Sequence, residues 1–415
     1  MTGSTELSSL VLNDGDIINL TGNVTCTQPF TVTKNNIKLN LNGKTLTFNL
    51  SGTNYNAIEV TSGNNFELNG GTGGLLAVSG NQVRGISTGS DGKTITVNCD
   101  INVTSTSTSS SQWAAGVLIT GNSEITVKGN ITVTGNYGRG ISASGNAKVT
   151  ATGNITCTAN ACEGIRAYDD ATVIITKGNI SVTGDNCRGI YAYGNGVGNR
   201  GATVNVTGNI TLAGNGAGDG IFASDMAKVT VSGNITLTGN GNGTGIWAVA
   251  SPEISVGGSI SVTGANCQGV YMEGGTVNIS RNVTVSGNDC RGLNVMNDIV
   301  ALVVGGKVTV SGTESIGVRF TGKADITVNG KLTVSGTDHE YVYLSLGLLA
   351  DPVHFPPTEP VKDGDYWVYT HEDSDAILRV KESSDGGLST MMIVIIAVVA
   401  IGAIAAAVWF FFLRK

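Results

Sequence analysis

The feature that most constrains the fold of this 415-residue chain is a glycine followed by an aliphatic residue, repeated about every 24 residues. Successive copies are separated by 23 to 31 residues. A regular period of this size indicates one structural unit stacked on copies of itself. We call these residues the marker glycines, and they are Gly85, Gly116, Gly140, Gly164, Gly189, Gly220, Gly245, Gly269, Gly292 and Gly317.

A second element keeps the same period, a Gly-Asn pair followed by a short threonine-rich strand, as in GNITV at Gly129. A third short alternating run, such as AKVTV from Ala227 to Val231, lies between the two. Three short strands with Gly and Asn turns fit one rung, or turn, of a parallel β-helix. Leucine-rich and helical repeats would need a stretch of period 3.6, which is absent here. The sequence therefore predicts an all-β solenoid of about 11–12 rungs.

Two columns of apolar residues predict its interior. The residue after each marker glycine is Ile, Val or Leu, as in Ile165, and the third residue after it is mostly alanine, as in Ala167. Because strand side chains alternate between faces, both columns face inward. On the next strand type, Ile131 and Val133 likewise alternate with outward threonines.

The segment from Asn13 to Leu46 reads NDGDIINLTGNVTCTQPFTVTKNNIKLNLNGKTL. Its "GD-x-I-x-L" step leading into "L-x-L-N-G-K-T-L" resembles the first rungs and cap of pectin-lyase-like β-helix surface proteins. The resemblance covers roughly residues 10–337 and implies a right-handed parallel β-helix. β-Helix repeats converge readily, so the resemblance specifies the fold rather than an activity.

The net charge of −7 and the 60 glycines are typical of an extracellular rod. No basic stripe is present, so nucleic acid is not an expected partner. Residues 391–413 are uncharged and long enough for a single C-terminal transmembrane helix. Arg414 and Lys415 follow directly, and the positive-inside preference places them in the cytoplasm with the rod outside.

The resulting organisation has five parts. We expect an N-terminal cap with the first rungs at 1–56, β-helix repeats at 57–337, a membrane-proximal cap and linker at 338–390, the transmembrane helix at 391–413 and a cytoplasmic tail at 414–415. The opening MTGSTELSSLVLNDGD shows no secretory signal. The true start then lies upstream, or this is a mature form, or the protein is tail-anchored and faces the cytoplasm.

The sharpest functional signal lies two residues after the marker glycines. That outward column carries four consecutive aromatic residues, which are Tyr191, Phe222, Trp247 and Tyr271, flanked by Tyr168 and Tyr193. Exposed aromatic stripes often mark binding sites, and flat rings beside Asn, Asp and Arg suit stacking on sugars. The alternative is that the aromatic residues only stabilise the sheet by pairing between rungs.

Catalysis has one candidate cluster, which comprises Glu163, Arg166, Asp169 and Asp170 on one rung. The adjacent aspartates resemble the paired aspartates of polygalacturonases. The His-bearing and Arg-x-Lys motifs of those enzymes are absent, as is a second Asp-rich rung for the calcium site of a pectate lyase. A turn with solvated charges is the competing interpretation, and neither a metal site nor a cofactor is expected.

Cysteine and asparagine columns suggest modifications. Cys162 with Cys187, and Cys267 with Cys290, occupy successive rungs, so each pair is either a disulfide or a stack of thiols. The marker asparagines precede Ile-Thr or Ile-Ser, so they form either a buried ladder or glycan acceptors; they are Asn130, Asn154, Asn179, Asn209 and Asn234. Asn205 and Asn242 lie off that column and are the better glycan candidates.

Three functions are compatible with these patterns. The first is an anchored adhesin-like surface protein that binds carbohydrates, or surface proteins of other cells, without catalysis. The second is a passive coat or stalk, and the third is a polysaccharide lyase or glycoside hydrolase of the same fold. The aromatic stripe separates the first from the second, and the cluster around Asp169 separates the third from both. Oligomeric state is open.

Overall fold

The chain folds into an all-β parallel solenoid coiled in the right-handed sense. The structure, a computed structural model, describes residues 6–381 except 53, 90, 196–199, 217, 297–299, 322–323, 346–360 and 372–373. Its only helix within that range is one 3₁₀ turn at Leu7–Ser9. The expected fold class is thus confirmed for the repeats.

The described part of the chain forms 42 strands. They are β1 Ile17–Asn19, β2 Val24–Cys26, β3 Phe30–Val32, β4 Lys38–Asn40, β5 Thr45–Leu50, β6 Tyr55–Val60, β7 Phe66–Asn69, β8 Leu75–Gly80, β9 Val83–Thr88, β10 Thr94–Asn98, β11 Asp100–Ser105, β12 Ala115–Ile119, β13 Glu124–Val127, β14 Ile131–Thr134, β15 Arg139–Ala143, β16 Lys148–Ala151, β17 Ile155–Thr158, β18 Glu163–Tyr168, β19 Thr172–Ile175, β20 Ile180–Thr183, β21 Arg188–Tyr193, β22 Thr203–Val206, β23 Ile210–Ala213, β24 Asp219–Ser224, β25 Lys228–Val231, β26 Ile235–Gly241, β27 Thr244–Val249, β28 Glu253–Val256, β29 Ile260–Ala265, β30 Gln268–Met272, β31 Gly275–Ile279, β32 Val283–Ser286, β33 Arg291–Val295, β34 Val300–Val304, β35 Val308–Ser311, β36 Ile316–Thr321, β37 Ala324–Val328, β38 Leu332–Ser335, β39 Glu340–Ser345, β40 Val361–Asp363, β41 Tyr366–His371 and β42 Ser374–Lys381.

Each rung contributes one strand to each of three parallel sheets. Sheet 1 starts at β1 and has 16 strands, whereas sheet 2 from β2 and sheet 3 from β3 have 13 strands each. Thirteen strands stacked in one sheet correspond to about twelve turns, in agreement with the predicted number of rungs. The stacking is in register, so that Ile165 of β18 lies beside Ile190 of β21 and Ala167 beside Ala192.

The interior is the aliphatic stack that the sequence predicted. Every residue that follows a marker glycine is fully buried, and so are Ala167 and its equivalents on neighbouring rungs. Ile131 and Val133 of sheet 2 are buried against them. Burial of each of the Ile, Val and Leu side chains contributes roughly 1.5–3 kcal/mol, so stability accumulates rung by rung.

The marker glycines are required because the backbones of successive rungs and sheet 2 approach them closely. A Cβ added to Gly164 would lie 2.4 Å from Ile180 Cγ2 and 2.6 Å from the carbonyl oxygen of Gly189. The glycine and the residue after it therefore both face the interior. This breaks the alternation, and it turns the residue before the glycine and the second residue after it to the same outer face.

The two ends of the solenoid are covered differently. At the start, Leu7 is buried and the Glu6 carboxylate accepts hydrogen bonds from the Thr27 amide at 2.8 Å and hydroxyl at 2.6 Å. At the other end, β41 and β42 form an antiparallel hairpin within the predicted cap, and β42 pairs in parallel with β37. Sheet 1 thus continues past the last complete rung.

The predicted transmembrane helix at 391–413 lies outside the described residues. Within the described part of the chain, no helix is long and apolar enough to span a bilayer.

The marker asparagines form a ladder, but not the buried one that we expected. The Oδ1 of each accepts a hydrogen bond from the backbone amide one rung on, for example Asn154 Oδ1 from the Asn179 amide at 2.8 Å. All five side chains are exposed, because the ladder runs along a surface turn. The side-chain nitrogen takes no part in these bonds, so membership of the ladder does not exclude glycosylation.

We predict that Gly164→Ala lowers the free energy of unfolding by about 3 kcal/mol, since the new methyl group overlaps Ile180 and the next rung. Urea denaturation followed by circular dichroism measures the change. Gly241→Ala is the matched control, because its Cβ meets nothing closer than the Asn215 carbonyl oxygen at 3.5 Å. Equal stability of the two variants would contradict the close-approach explanation.

Candidate functional site

The aromatic column lies on the outer face of sheet 3 in continuous register. Tyr191 pairs with Phe222, Phe222 with Trp247, and Trp247 with Tyr271. Their ring centroids are 4.9, 5.3 and 5.6 Å apart, with edge-to-face geometry in each case. All four side chains are half-buried rather than openly exposed. The rings therefore stabilise the sheet by pairing and still present part of their surface to solvent.

The flanking tyrosines join this column at one end. Tyr168 stacks on Tyr193 with centroids 5.4 Å apart and planes 8° from parallel. Arg166 donates from Nη2 to the Tyr193 hydroxyl at 3.1 Å, and its guanidinium lies 4.8 Å from the Tyr191 ring centroid. Arginine and tyrosine side chains therefore cover one another at this end.

A second outer column, which the sequence analysis missed, consists of the residues directly before the marker glycines. Four successive rungs alternate in charge there, with Arg139, Glu163, Arg188 and Asp219. Arg139 Nε lies 3.1 Å from Glu163 Oε2, and Arg188 Nε lies 2.9 Å from Asp219 Oδ2. Strict strand alternation would bury these residues; the inward glycine explains why they share the outer face with the aromatic column.

Burial shapes the ionisation of this column. Burial lowers the pKa of Arg139 to about 10, although the nearby Glu163 acts in the opposite direction. Burial likewise raises the pKa of Asp219, and the Arg188 guanidinium partly offsets that rise. Charges this far removed from water are stable only as pairs, so the alternating column functions as a set of mutual counter-ions.

The catalytic candidates do not converge on one place. Glu163 begins β18 and is bonded to Arg139 and Arg166, the latter at 3.1 Å. Asp169 and Asp170 follow the far end of the same strand, about 20 Å away at the usual rise per residue. There Asp169 Oδ2 accepts a hydrogen bond from the Gly145 amide at 3.3 Å, and Asp170 pairs with Arg200 at 3.2 Å.

The two outer columns line a groove of about 530 Å³. Trp247 and Tyr271 contribute aromatic surface, and polar side chains surround them. The lining residues are Asn186, Arg188, Asp219, Asn242, Thr244, Trp247, Gln268, Tyr271, Arg291, Asn294 and Met296. Of the predicted binding residues, only Trp247 and Tyr271 belong to this groove.

Three buried polar atoms of the groove have no hydrogen-bond partner among the described residues. They are Trp247 Nε1, Arg291 Nε and Asn294 Oδ1. The other end of the Asn294 amide is held, since Nδ2 donates to Gln268 Oε1 at 2.7 Å. An unpaired buried polar group costs about 1–3 kcal/mol, so a bound molecule or water that paired with these atoms would recover part of that cost.

On the rungs before the groove, the outer face of sheet 3 is covered by a loop of the same chain. Trp113 lies in the Ser/Thr-rich loop between β11 and β12. Its ring lies between two guanidinium groups, 4.5 Å from that of Arg84 and 3.9 Å from that of Arg139. Ala115 is the residue directly before Gly116 in the second outer column, and it lies between Arg84 and Arg139. Because its side chain is small, the Trp113 ring fits above it between the two arginines. Ser87 and Ser142 are buried nearby. The outer face of sheet 3 is thus covered around Trp113, whereas it forms an open groove around Trp247 and Tyr271.

The predicted disulfide residues are buried free thiols, namely Cys162, Cys187, Cys267 and Cys290. Cys187 Sγ accepts a hydrogen bond from the Cys162 amide at 3.3 Å, so stacked thiols describe the column. Asn205 is half-buried in β22, whereas Asn242 is exposed on a turn at the groove. Within the described range, no group of three or more His, Cys, Asp or Glu residues could hold a metal ion.

Comparison with known proteins identifies no relative of this chain. No family model matches the chain, and neither a curated protein nor a solved structure is significantly similar to it.

We predict that Glu163→Gln lowers the free energy of unfolding by about 3 kcal/mol, because it leaves Arg139 and Arg166 without their shared carboxylate in a site whose Glu side chain is only 10% exposed. Chemical denaturation gives the value. Glu124→Gln, which breaks the exposed pair with Lys148, is expected to cost less than about 1 kcal/mol. Similar losses for both variants would show that burial does not govern the strength of these pairs.

Proposed function

We infer that this protein is an anchored surface protein whose solenoid binds carbohydrate in the groove of sheet 3. The observation that carries this inference is the combination of Trp247 and Tyr271 with unpaired polar atoms in one open groove. Aromatic surface stacks on the apolar faces of sugar rings, while amide and guanidinium groups bond to their hydroxyls. The groove has the volume of a small-ligand site, which suits a short oligosaccharide.

The polar groups of the groove suit a sugar better than an apolar ligand. Gln268 and Asn294 form one amide pair on adjacent rungs, and Asn242 lies on the bordering turn. Arg188 and Asp219 satisfy one another, so that end of the groove is electrically balanced. Arg291 forms no ion pair within the described structure. A ligand with several hydroxyls matches this mixture of donors and acceptors along the strand direction.

Binding without catalysis is the preferred form of this function. Glycoside hydrolysis requires two carboxyl groups that face one scissile bond. In the groove, the Asp219 carboxylate forms an ion pair with Arg188, and the Tyr271 hydroxyl donates a hydrogen bond to the Glu273 carboxylate. The solenoid is the architecture that the pectin-lyase-like resemblance implies, and this arrangement of charges supports an adhesin-like rather than an enzymatic member.

A passive stalk is the second candidate, and one observation favours it. The aromatic rings pair edge-to-face from rung to rung, and this would stabilise the rod even without a ligand. The unpaired polar atoms beside Trp247 favour the binding function instead, because sheet stabilisation gives no reason for them.

We predict that Tyr271→Ala lowers oligosaccharide affinity at least tenfold, about 1.4 kcal/mol, as expected for an aromatic contact at the centre of a site. A glycan array with the full chain identifies ligands, and calorimetry on the hits gives affinities. Each hit is also examined for cleavage products, which would establish an enzyme instead.

Tyr55→Ala is the matched control, because Tyr55 is a more exposed tyrosine of the same sheet outside the groove. We expect its affinity to equal that of the wild type. Failure of the array to show any ligand, or equal binding by both variants, would leave the stalk as the better function.

For the anchor, we predict that deletion of 391–413 moves the protein from the membrane pellet to the soluble fraction after alkaline carbonate extraction. The reason is that 23 uncharged residues provide enough apolar length to cross a bilayer. A control deletion of 383–389 in the linker is expected to keep the protein in the pellet. Soluble full-length chain would contradict the membrane anchor.

A further inference from the structure

The outer face of sheet 2 carries an array of hydroxyl groups that a single alanine interrupts. Nine successive strands of this sheet each present two outward residues. They are β14, β17, β20, β23, β26, β29, β32, β35 and β38. Of these eighteen positions, twelve are threonine, five are serine and one is alanine. They are Thr132, Thr134, Thr156, Thr158, Ser181, Thr183, Thr211, Ala213, Thr236, Thr238, Ser261, Thr263, Thr284, Ser286, Thr309, Ser311, Thr333 and Ser335.

Strand propensity alone does not account for this uniformity. Sheet 1 runs through the same rungs and is subject to the same backbone requirements, yet its outer face carries ion pairs. Examples are Lys148 with Glu124 and Lys228 with Glu253, each 2.9 Å apart. A surface that only had to remain soluble would resemble sheet 1. Sheet 2 instead lacks charge at every outward position of these nine strands.

The array is regular in two directions. Register is kept at these positions, with Thr132 beside Thr156, Thr156 beside Ser181, and so on to Thr333, and between β26 and β29 it shifts only after Thr238. Neighbouring rungs are about 4.8 Å apart, and the two outward residues of one strand are about 6.6 Å apart. The insertions between rungs fall in turns, so the rows continue over about 38 Å.

Most of these hydroxyls form no hydrogen bond to the described protein. The exceptions are Ser286, which donates to the Thr263 hydroxyl at 3.3 Å, and Thr238, which donates to the Leu212 carbonyl at 3.4 Å. Apart from Thr263, which accepts the first of these bonds, the other threonine and serine side chains present a methyl or methylene group and an unpaired hydroxyl to water at fixed intervals. The face is therefore a rigid two-dimensional grid of small amphipathic groups.

We propose that this face binds ice. A ligand for such a grid must itself repeat in two dimensions and carry no charge. Ice meets both conditions, because each of its crystal faces is an uncharged two-dimensional repeat of water molecules that donate and accept hydrogen bonds. Hydroxyls take positions in the water lattice, and the methyl groups fit between the rows. A crystalline polysaccharide also repeats in two dimensions, but sugar-binding faces use aromatic rings, and this array has none.

This site is independent of the carbohydrate groove, which lies on sheet 3. The test compares the freezing and melting temperatures of single ice crystals in solutions of the full chain, with buffer alone as the baseline. The wild-type chain is expected to depress freezing below melting and to inhibit recrystallisation. Thr236→Lys places a charged, longer side chain in the centre of the grid and is expected to abolish both effects. Thr284→Lys changes another residue of the same row and is expected to abolish both effects as well.

Thr230→Lys is the matched control, because Thr230 is an exposed threonine of the same rung on sheet 1. It is expected to retain the wild-type effect, as is Tyr271→Ala in the groove, which separates this site from carbohydrate binding. Circular dichroism confirms that each variant is folded. The proposal is overturned if the wild-type chain gives no effect above buffer, if the control loses the effect equally, or if the chain adsorbs to microcrystalline cellulose and not to ice.

Discussion

The structure depends on the close approach between the marker glycines of sheet 3 and the aliphatic side chains of sheet 2. At Gly164, a Cβ would lie only 2.4 Å from the Ile180 methyl group, and the carbonyl oxygen of the next marker glycine is almost as near. Any larger residue would separate the sheets on that rung and on its neighbour. Because each rung is the template for the next one, this contact explains why glycine recurs with the period of the rung.

The same contact determines what the surface offers. Two consecutive inward residues shift the alternation of the strand, and this brings the residue before the glycine beside the residue two after it. Alternating charges and paired aromatic rings therefore meet on one face. Where the charges neutralise each other, as at Glu163, the face is a structural ladder. Where the column changes to Thr244 and Gln268, it opens into the groove beside Trp247 and Tyr271.

Much of the fold followed from sequence, because a rung is a local unit whose apolar columns repeat with a visible period. The number of rungs, Ile165 and Ala167 in the interior and the aromatic column were predictable in this way. The charged column was not, since strict alternation places Glu163 inside. The separation of Asp169 from Glu163 could be obtained by counting residues along the strand. The position of Trp113 could not, because a loop of irregular length leaves no periodic signal.

A double-mutant cycle between Glu163 and Arg166 tests the central claim most directly. These residues are three apart in one strand, so regular alternation would place them on opposite faces, whereas the inward glycine places them 3.1 Å apart on one face. Denaturation of Glu163→Gln, Arg166→Gln and the double variant gives their coupling free energy. We predict about 1 kcal/mol or more, in the range found for residues in contact. Additive effects, within about 0.5 kcal/mol, would contradict the shared face and the role assigned to the marker glycines.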